Sequence, residues 1–279
     1  MADATPTVGR FAPSPTGPLH FGSLVAAVGS YLQAKTADGR WHLRIEDLDP
    51  PREAPGSVAN ILTTLERFGF RWDGEVEYQS QHGDRYQTAL ERLIDARHAY
   101  PCKCSRKEVA DSAISGIEGP VYPGTCRKGL PDGEEGRAWR VRTDGSLERE
   151  IGDFVVRRAD GYWAYQLAVV VDDAALGVTE VVRGADLIGS TSRQIHLQRL
   201  LGFPTPAYVH LPIVLGDDGR KLSKSLATVP LGAGYESAAL VSALRFLGQQ
   251  PPESLASASP DAVWAWAMEH WDLELVDSL

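Results

Sequence analysis

A strand, a loop, a helix and a second strand follow one another within the first 45 residues, and this succession restricts the fold more than any other feature. Residues 7–12 form a short β-compatible run, which the prolines and glycine of 13–18 end in a turn. Apolar residues then recur at helical spacing, at Leu24, Val28, Tyr31 and Leu32. Residues 41–45 form the second strand. A helix that connects two strands in this way implies a parallel pair and an α/β fold.

Further elements follow along the chain. Apolar residues mark two amphipathic helices, one with Val58, Ile61, Leu62, Leu65 and Phe68 and one with Leu90, Leu93 and Ile94. Residues 162–171 and 179–183 are strand-like, and 190–201 are predicted to form a helix capped by Ser190 or Thr191. From about Pro230 the chain is predicted to be helical, with a break at Pro251 and Pro252.

The character of the chain changes between about 100 and 160, where Gly, Pro, Cys and charged residues become frequent and periodicity fades. We interpret 100–159 as an inserted module. Residues 1–99 and 160–229 are then predicted to form one Rossmann-like domain, and 230–279 a short helical C-terminal region.

The balance of charge limits the partners. The formal net charge is -9, opposite in sign to that of most nucleic-acid-binding proteins, so RNA would have to meet a local basic face. Met1 to Thr7 has no basic leader segment, and no stretch approaches the roughly 20 apolar residues of a membrane span. We therefore expect a soluble, cytoplasmic monomer with no membrane partner. Three cysteines in one segment argue against a disulfide framework.

His20 lies where the first loop enters the first helix, with the small residues Gly22 and Ser23 beside it. Backbone N–H groups and the helix dipole make such a junction attractive to phosphate. The alternative is that His20 is an ordinary helix-start residue. The sequence has neither a P-loop motif nor a dinucleotide-binding glycine pattern.

A second basic element, Lys221-Leu222-Ser223-Lys224-Ser225, follows a turn late in the chain. Ammonium groups on a mobile loop suit the charge that develops on a triphosphate, although such a loop alone would more simply be a solvated surface. Together, the two elements resemble the signatures of class I aminoacyl-tRNA synthetases, with departures at Phe21 and Ser23. The resemblance implies ATP with Mg²⁺, catalytic roles for His20, Lys221 and Lys224, and ATP contacts by His20, Gly22, Ser23 and Lys224.

The residues around the first half of this site indicate the amino acid. Arg10 ends the first strand and can hold a carboxylate through two hydrogen bonds, while Glu46 ends the second and suits an ammonium group. Pairing of Glu46 with Arg44 is not expected, because Arg44 can reach solvent. Arg183 could instead form a structural ion pair with Glu180 or Asp186. The segment resembles that of glutamyl-tRNA synthetases, which implies glutamate contacts by Arg10, Phe11, Ala12, Pro13, Ser14, Glu46, Tyr165 and Arg183.

The three cysteines, Cys102, Cys104 and Cys126, supply three thiolates for a tetrahedral zinc site. By spacing alone, His98 is the natural fourth ligand, and Tyr122 is chemically less usual. Short glutamyl-type synthetases carry a Cys-x-Cys and Tyr-x-x-x-Cys zinc site, and this resemblance implies Tyr122 instead. The zinc would hold the inserted module together and take no part in chemistry.

Only 54 residues follow Ser225, which is too few for the anticodon-reading domain of a glutamyl-tRNA synthetase. The chain resembles the short family of glutamyl-queuosine tRNA(Asp) synthetases. That resemblance implies activation of L-glutamate without tRNA and transfer to the cyclopentenediol of queuosine in the anticodon loop of tRNA(Asp).

Two other functions fit part of the pattern. A truncated glutamyl-tRNA synthetase would charge the 3′ end of its tRNA, and a non-catalytic paralogue would bind glutamate, ATP or RNA. A ligase like pantothenate synthetase shares a related nucleotide site but does not need the zinc module.

Overall fold

The computed structural model describes residues 6–112, 115–116, 119–213 and 231–277. Its strands are β1 (Val8–Phe11), β2 (Arg40–Ile45), β3 (Glu77–Tyr78), β4 (Ala99–Cys102), β5 (Ser115–Gly116), β6 (Gly119–Pro120), β7 (Ala138–Val141), β8 (Phe154–Arg157), β9 (Glu180–Gly184) and β10 (Ala207–Leu211). Its helices are α1 (Phe21–Lys35), α2 (Ser57–Arg67), α3 (Gly83–Asp95), α4 (Arg106–Ser112), α5 (Gly145–Glu150), α6 (Tyr165–Leu176), α7 (Ile188–Leu201), α8 (Glu236–Phe246), α9 (Pro260–His270) and α10 (Glu274–Asp277). Short 3-10 helices lie at Pro50–Arg52, Gln79–Gln81, Ala185–Leu187 and Glu253–Ser257.

The chain divides into two compact units. Unit 1 is drawn from 1–78, 177–188 and 206–279, and unit 2 from 79–176 and 189–205. The segment interpreted as an inserted module, 100–159, falls within unit 2, and the helical region from 230 falls within unit 1. The domain boundaries given above stay a prediction.

The strands of unit 1 form two sheets, β1-β2-β3 and β9-β10, and every strand pair within them is parallel, as the sequence predicts. β1 pairs with β2 in a register that places Arg10 opposite His42, and β2 continues to β3. β9 pairs with β10 on the other side of β1. Thr179 joins β9 to β1, because its backbone N–H donates to the Val8 carbonyl at 2.9 Å and its hydroxyl accepts from the Val8 N–H at 2.8 Å. The carboxyl ends of these strands therefore lie along one edge.

Helix α1 is the crossover between β1 and β2 and packs closely on the sheet. The residues predicted to form its apolar face, Leu24, Val28, Tyr31 and Leu32, are all buried. Gly29 allows the close approach, since a Cβ there would lie 2.7 Å from a Leu211 methyl group. The predicted strand–helix–strand unit is confirmed.

An aromatic cluster from distant parts of the chain fills the core of unit 1. The Tyr31 ring packs edge-on against Trp41 at 5.0 Å, Phe70 at 5.4 Å and Trp264 at 4.9 Å between centroids. The Trp264 indole N–H also donates to the Phe68 carbonyl at 2.8 Å. Aromatic pairs in this geometry contribute beyond the area they bury. Through Trp264, helix α9 is therefore part of the same core as β1 and β2.

Unit 2 is built on an antiparallel sheet in the order β4-β7-β8, with α3 and α6 packed together. The prediction of a strand over 162–171 is wrong, because α6 begins at Tyr165. Residues 167–173 are all buried, so the segment shows none of the face contrast that identifies a helix from sequence, and its three valines favour a strand by propensity.

The helix predicted at 190–201 is present as α7, but its predicted cap is wrong. Ser190 and Thr191 lie inside the helix, which begins at Ile188 directly after a 3-10 turn. The 3-10 turn supplies the helix start, so no capping side chain is needed at 190. Among the residues that the structure describes, no helix is both long enough and apolar enough to cross a membrane.

A buried carboxylate organises the helical part of unit 2. Asp172 is 1% exposed and lies against three side chains. The Gln79 amide donates to it at 2.8 Å, the Tyr86 hydroxyl donates at 2.6 Å, and His82 Nδ1 lies 2.8 Å away. Because a buried carboxylate must be paired, these contacts fix α6 against α3 and the turn before it.

We expect Asp172→Leu to destabilise the protein by about 3 kcal/mol, because it leaves buried polar groups without their acceptor. Tyr86→Phe removes one donor and should cost about 1 kcal/mol. Urea unfolding followed by circular dichroism measures both. Equal stability of Asp172→Leu and the unmodified protein would show that the cluster does not fix the fold.

Candidate functional site

β1 pairs with β2, and Val8 of β1 is hydrogen-bonded to Thr179, which directly precedes β9. β1 therefore lies between β2 and β9, and the order of the strands reverses there. In open parallel sheets, ligands bind in the crevice outside the carboxyl ends of the strands at such a reversal. The candidate residues of unit 1 that fall within described segments lie on or beside these strand ends. The topology therefore identifies the same edge that the sequence motifs indicate.

His20 caps the N-terminus of α1. Its backbone is extended, and its Nδ1 accepts a hydrogen bond from the Ser23 N–H at 3.3 Å. Since Nδ1 accepts, the neutral ring carries its proton on Nε2, which is then a donor at an exposed position. Gly22 makes room for the ring, because a Cβ there would lie 3.2 Å from His20 Cε1. His20 is thus a helix-start residue that caps α1 with its Nδ1.

The loop after β1 is fixed to the end of β2. The Glu46 N–H donates to the Pro13 carbonyl at 3.0 Å, which extends the pairing of β1 and β2 by one step. Arg10 is 4% exposed. The Phe11 ring stacks on Trp41 in the core at 6.2 Å between centroids, so only its backbone faces the loop. Ala12 and Ser14 continue the loop, with Ser14 exposed.

Arg44 pairs with Glu46, contrary to the sequence-based expectation. Arg44 is fully buried, and its Nη2 lies 3.4 Å from Glu46 Oε1. Residues two apart on a strand share a face, and a guanidinium that cannot reach solvent needs a carboxylate beside it. The Arg44 side chain therefore positions the Glu46 carboxylate.

Arg183 lies on β9 beside two aromatic residues that the sequence reasoning missed. Its guanidinium lies 5.2 Å from the centroid of Tyr208, whose ring stacks on His210 at 6.3 Å. Burial and then the charge of Arg183 lower the pKa of His210. The only sequence signal for this pair is its alternate spacing, which places both residues on one face of β10. The Glu180 carboxylate accepts from the Gln33 amide at 3.1 Å.

Tyr165, Lys221 and Lys224, the remaining predicted site residues of the Rossmann-like domain, do not lie on the described strands of unit 1. Tyr165 is the first residue of α6 in unit 2, so it begins a helix and does not end a strand as expected. Lys221 and Lys224, with the rest of their loop, lie outside the described residues.

The three cysteines of unit 2 come together with Tyr122. Their sulfur atoms lie within 4.8 Å of one another, and those of Cys104 and Cys126 are 3.6 Å apart. The Tyr122 hydroxyl lies 3.4 Å from Cys102 Sγ and 3.7 Å from Cys104 Sγ. The Arg140 Nε–H donates to Cys102 Sγ at 3.4 Å, and its guanidinium lies 3.9 Å from the centroid of the Tyr122 ring.

These distances fit a tetrahedral metal ion. Ligand bonds of zinc to sulfur and oxygen imply about 3.8 Å between two sulfurs and about 3.5 Å between sulfur and oxygen. His98 is four residues before Cys102 along extended chain, roughly 13 Å away. Geometry therefore favours Tyr122 over His98 as the fourth ligand, and Arg140 supports the sulfur from outside the ligand shell.

The thiols differ in their tendency to ionise. Burial raises the pKa of Cys104 to about 11. Burial also opposes ionisation of Cys126, but hydrogen bonds from Tyr122 and from the Lys103 N–H outweigh it and lower the pKa of that thiol. Burial, with the neighbouring thiols, raises the pKa of Tyr122. Metal binding must displace the remaining protons, so occupancy will be pH-dependent.

Comparisons with known proteins identify the family of the chain. The family described as tRNA synthetases class I (E and Q), catalytic domain, matches residues 7–127 and 123–259. The glutamyl-Q tRNA(Asp) synthetase of Aromatoleum aromaticum is 57% identical over 97% of this chain and 90% of its own length. That of Dechloromonas aromatica is 55% identical over 98% and 96% of the two chains.

Solved structures share the fold. A glutamate tRNA ligase from Elizabethkingia meningosepticum, solved in complex with its amino acid, superposes with a TM-score of 0.76 at 25% identity, covering 98% of this chain and 66% of its own. The glutamate-tRNA synthetase of Elizabethkingia anophelis gives 0.74 at 25% identity over 98% and 67%. The expected synthetase-type α/β fold with a parallel sheet is confirmed.

We expect the purified protein to carry one zinc ion per chain, and Cys126→Ser to lose it. Tyr122→Phe removes an oxygen ligand and should weaken zinc binding about tenfold or more, whereas His98→Ala should not change it. Elemental analysis after competition with a chelator measures each variant. Loss of zinc in His98→Ala with retention in Tyr122→Phe would reverse the ligand assignment.

Proposed function

The chain belongs to the glutamyl-Q tRNA(Asp) synthetase family of class I tRNA synthetases, and we propose that it activates L-glutamate with ATP and transfers it to queuosine in the anticodon of tRNA(Asp). It is a ligase of the aminoacyl-tRNA synthetase type. The observation that carries the proposal for glutamate is the set of charges at one edge of the unit 1 sheet, where two buried arginines, Arg10 and Arg183, accompany Glu46. Two cations and one anion complement an amino acid with two carboxylates and one ammonium group.

In the first step, a carboxylate oxygen of glutamate attacks the α-phosphorus of ATP. The bond to the leaving pyrophosphate breaks, and glutamyl-adenylate forms. Arg10 and Arg183 hold carboxylates, Glu46 holds the ammonium group, and Tyr165 adds a hydroxyl contact. His20 Nε2 donates to phosphate at the start of α1, and Lys221 and Lys224 stabilise the charge that develops on the departing group. Positioning and electrostatics lower the barrier, with no covalent enzyme intermediate.

In the second step, a hydroxyl of the RNA attacks the glutamyl carbonyl and forms an ester. AMP leaves with the bonding electrons, and its phosphate accepts the proton that the hydroxyl loses. The proposal that this hydroxyl belongs to the queuosine diol is supported by relatives of this name that match nearly the whole chain. An anticodon loop offers unpaired bases, which proteins commonly draw into pockets.

The remaining roles are structural or supportive. Zinc held by Cys102, Cys104, Tyr122 and Cys126 would stabilise the fold of unit 2. Mg²⁺ would accompany the triphosphate of ATP. We also propose that the protein acts in the cytoplasm as a monomer and that activation does not require tRNA.

We expect labelled glutamate to attach to tRNA(Asp) that contains queuosine and not to the same tRNA with guanosine at that position. Removal of the 3′ end should leave this transfer intact, and glutamate-dependent pyrophosphate exchange should proceed without RNA. Scintillation counting of the precipitated tRNA measures transfer. Attachment that depends on the 3′ end and not on queuosine would instead identify an acceptor-end synthetase.

Two substitutions separate the roles of His20. His20→Asn keeps a good capping residue, so the free energy of unfolding should hold within about 0.5 kcal/mol, whereas His20→Ala should lower it by about 1 kcal/mol. Both lack the Nε2 donor and should slow pyrophosphate exchange by about 100-fold. If His20→Asn exchanges at the normal rate, His20 serves the helix alone.

A further inference from the structure

The segment that leads into α6 forms a small hairpin. Its adjacent residues Arg157 and Arg158 each place a guanidinium over an aromatic ring, that of Trp163 and that of Tyr162 respectively. Arg157, at the end of β8, forms an antiparallel backbone β-bridge with Trp163 across the turn. The Arg158 N–H donates to the Tyr162 carbonyl at 2.9 Å, and Gly161 turns the chain with a positive φ of 87°. This backbone pairing holds both aromatic residues at fixed positions just before Tyr165.

The pair formed by Arg157 and Trp163 is the closer of the two. The Arg157 guanidinium lies 3.8 Å from the centroid of the Trp163 ring, against 5.5 Å for Arg158 and Tyr162. Tyr86 packs edge-on against Trp163 at 5.6 Å. Asp160 holds Arg158 through two hydrogen bonds. Arg157 and Trp163 are both half-buried, so each keeps part of its surface in contact with solvent.

Charge distinguishes the two units as surfaces for a polyanion. Unit 2 contains as many Lys and Arg residues as Asp and Glu residues, so the formal net charge of -9 falls entirely on unit 1. RNA binding depends on contacts between the protein surface and negatively charged phosphates. The neutral unit 2 repels phosphate less than the acidic unit 1, so RNA is expected to bind on unit 2. Planar groups that stack on bases are the usual means of holding unpaired RNA.

We propose that the stacked Arg157 and Trp163 form a platform for one unpaired base of the RNA acceptor. The base stacks on the exposed part of the guanidinium and indole, two residues before Tyr165, the residue of unit 2 that we assign to glutamate. The platform rests on the proposed function, because it holds the RNA whose hydroxyl takes the glutamate. Trp163 and Arg157 are positioning residues and do not touch the reacting atoms.

A nucleobase could come from ATP as well as from RNA, and kinetics separates the two sources. Trp163→Leu should raise the KM for queuosine-containing tRNA(Asp) about tenfold, the expected effect of losing one stacked base. Its rate of glutamate-dependent pyrophosphate exchange and its KM for ATP should not change. Trp163→Phe keeps an aromatic plane and should retain most of the affinity for RNA, and Arg157→Gln should weaken it less than Trp163→Leu.

Trp266→Leu is the matched control. Trp266 is also half-buried and stacks on a neighbour, His270, at 4.6 Å, but it lies in the acidic unit 1. This variant should transfer glutamate with an unchanged KM for tRNA. A raised KM for ATP in Trp163→Leu, a normal KM for tRNA, or loss of exchange in both Trp163→Leu and Trp163→Phe would each overturn the platform. If the unmodified protein exchanges pyrophosphate but transfers no glutamate to tRNA(Asp), the proposed function fails instead.

Discussion

The parallel pairing of β1 with β2 through α1 is the constraint on which the site depends. It aligns the ends of strands that are far apart in the sequence, and Thr179 adds β9 to the same edge. Side chains near the carboxyl ends of these strands then lie close together because the strands are parallel. The helix that makes the crossover also begins at this edge, so a single supersecondary unit contains both the helix start that we assign to phosphate and the arginine that we assign to a carboxylate.

Neighbouring side chains hold the charged candidate residues of this unit in place. The fully buried Arg44 is not itself a candidate for ligand binding. It lies against Glu46 and so positions the Glu46 carboxylate, which is a candidate. The Tyr208 ring, which stacks on His210, supports Arg183 through a cation–π contact with its guanidinium. Binding groups that are held before a ligand arrives lose less freedom on binding, which is how such supports raise affinity and specificity.

The sequence predicted helix α2 because its apolar residues recur on one face while the rest of the helix is more exposed. The strands β1, β2 and β9 are buried almost throughout, and they were predictable as short apolar runs beside turn residues. The capping position of His20 follows from its place before α1. Helix α6 was mistaken for a strand because it is buried on every side, so its sequence contains no amphipathic contrast. The burial of Arg44 depends on tertiary packing, which residue spacing does not show. The separation of His98 from Cys102 follows only once the intervening residues are known to form the extended strand β4. The lysine loop remains a prediction from motif alone.

The packing of Trp264 against Tyr31 and Phe70 has a consequence for the order of events during synthesis. The first strand, helix and crevice leave the ribosome early, but the core beneath them lacks its closing ring until more than two hundred further residues have been translated. Unit 2, whose helices and sheet come from nearer neighbours in the chain, can consolidate sooner. The nascent protein would therefore hold an open, incomplete half-site for most of its translation, a stage at which chaperone binding would protect exposed aromatic surface.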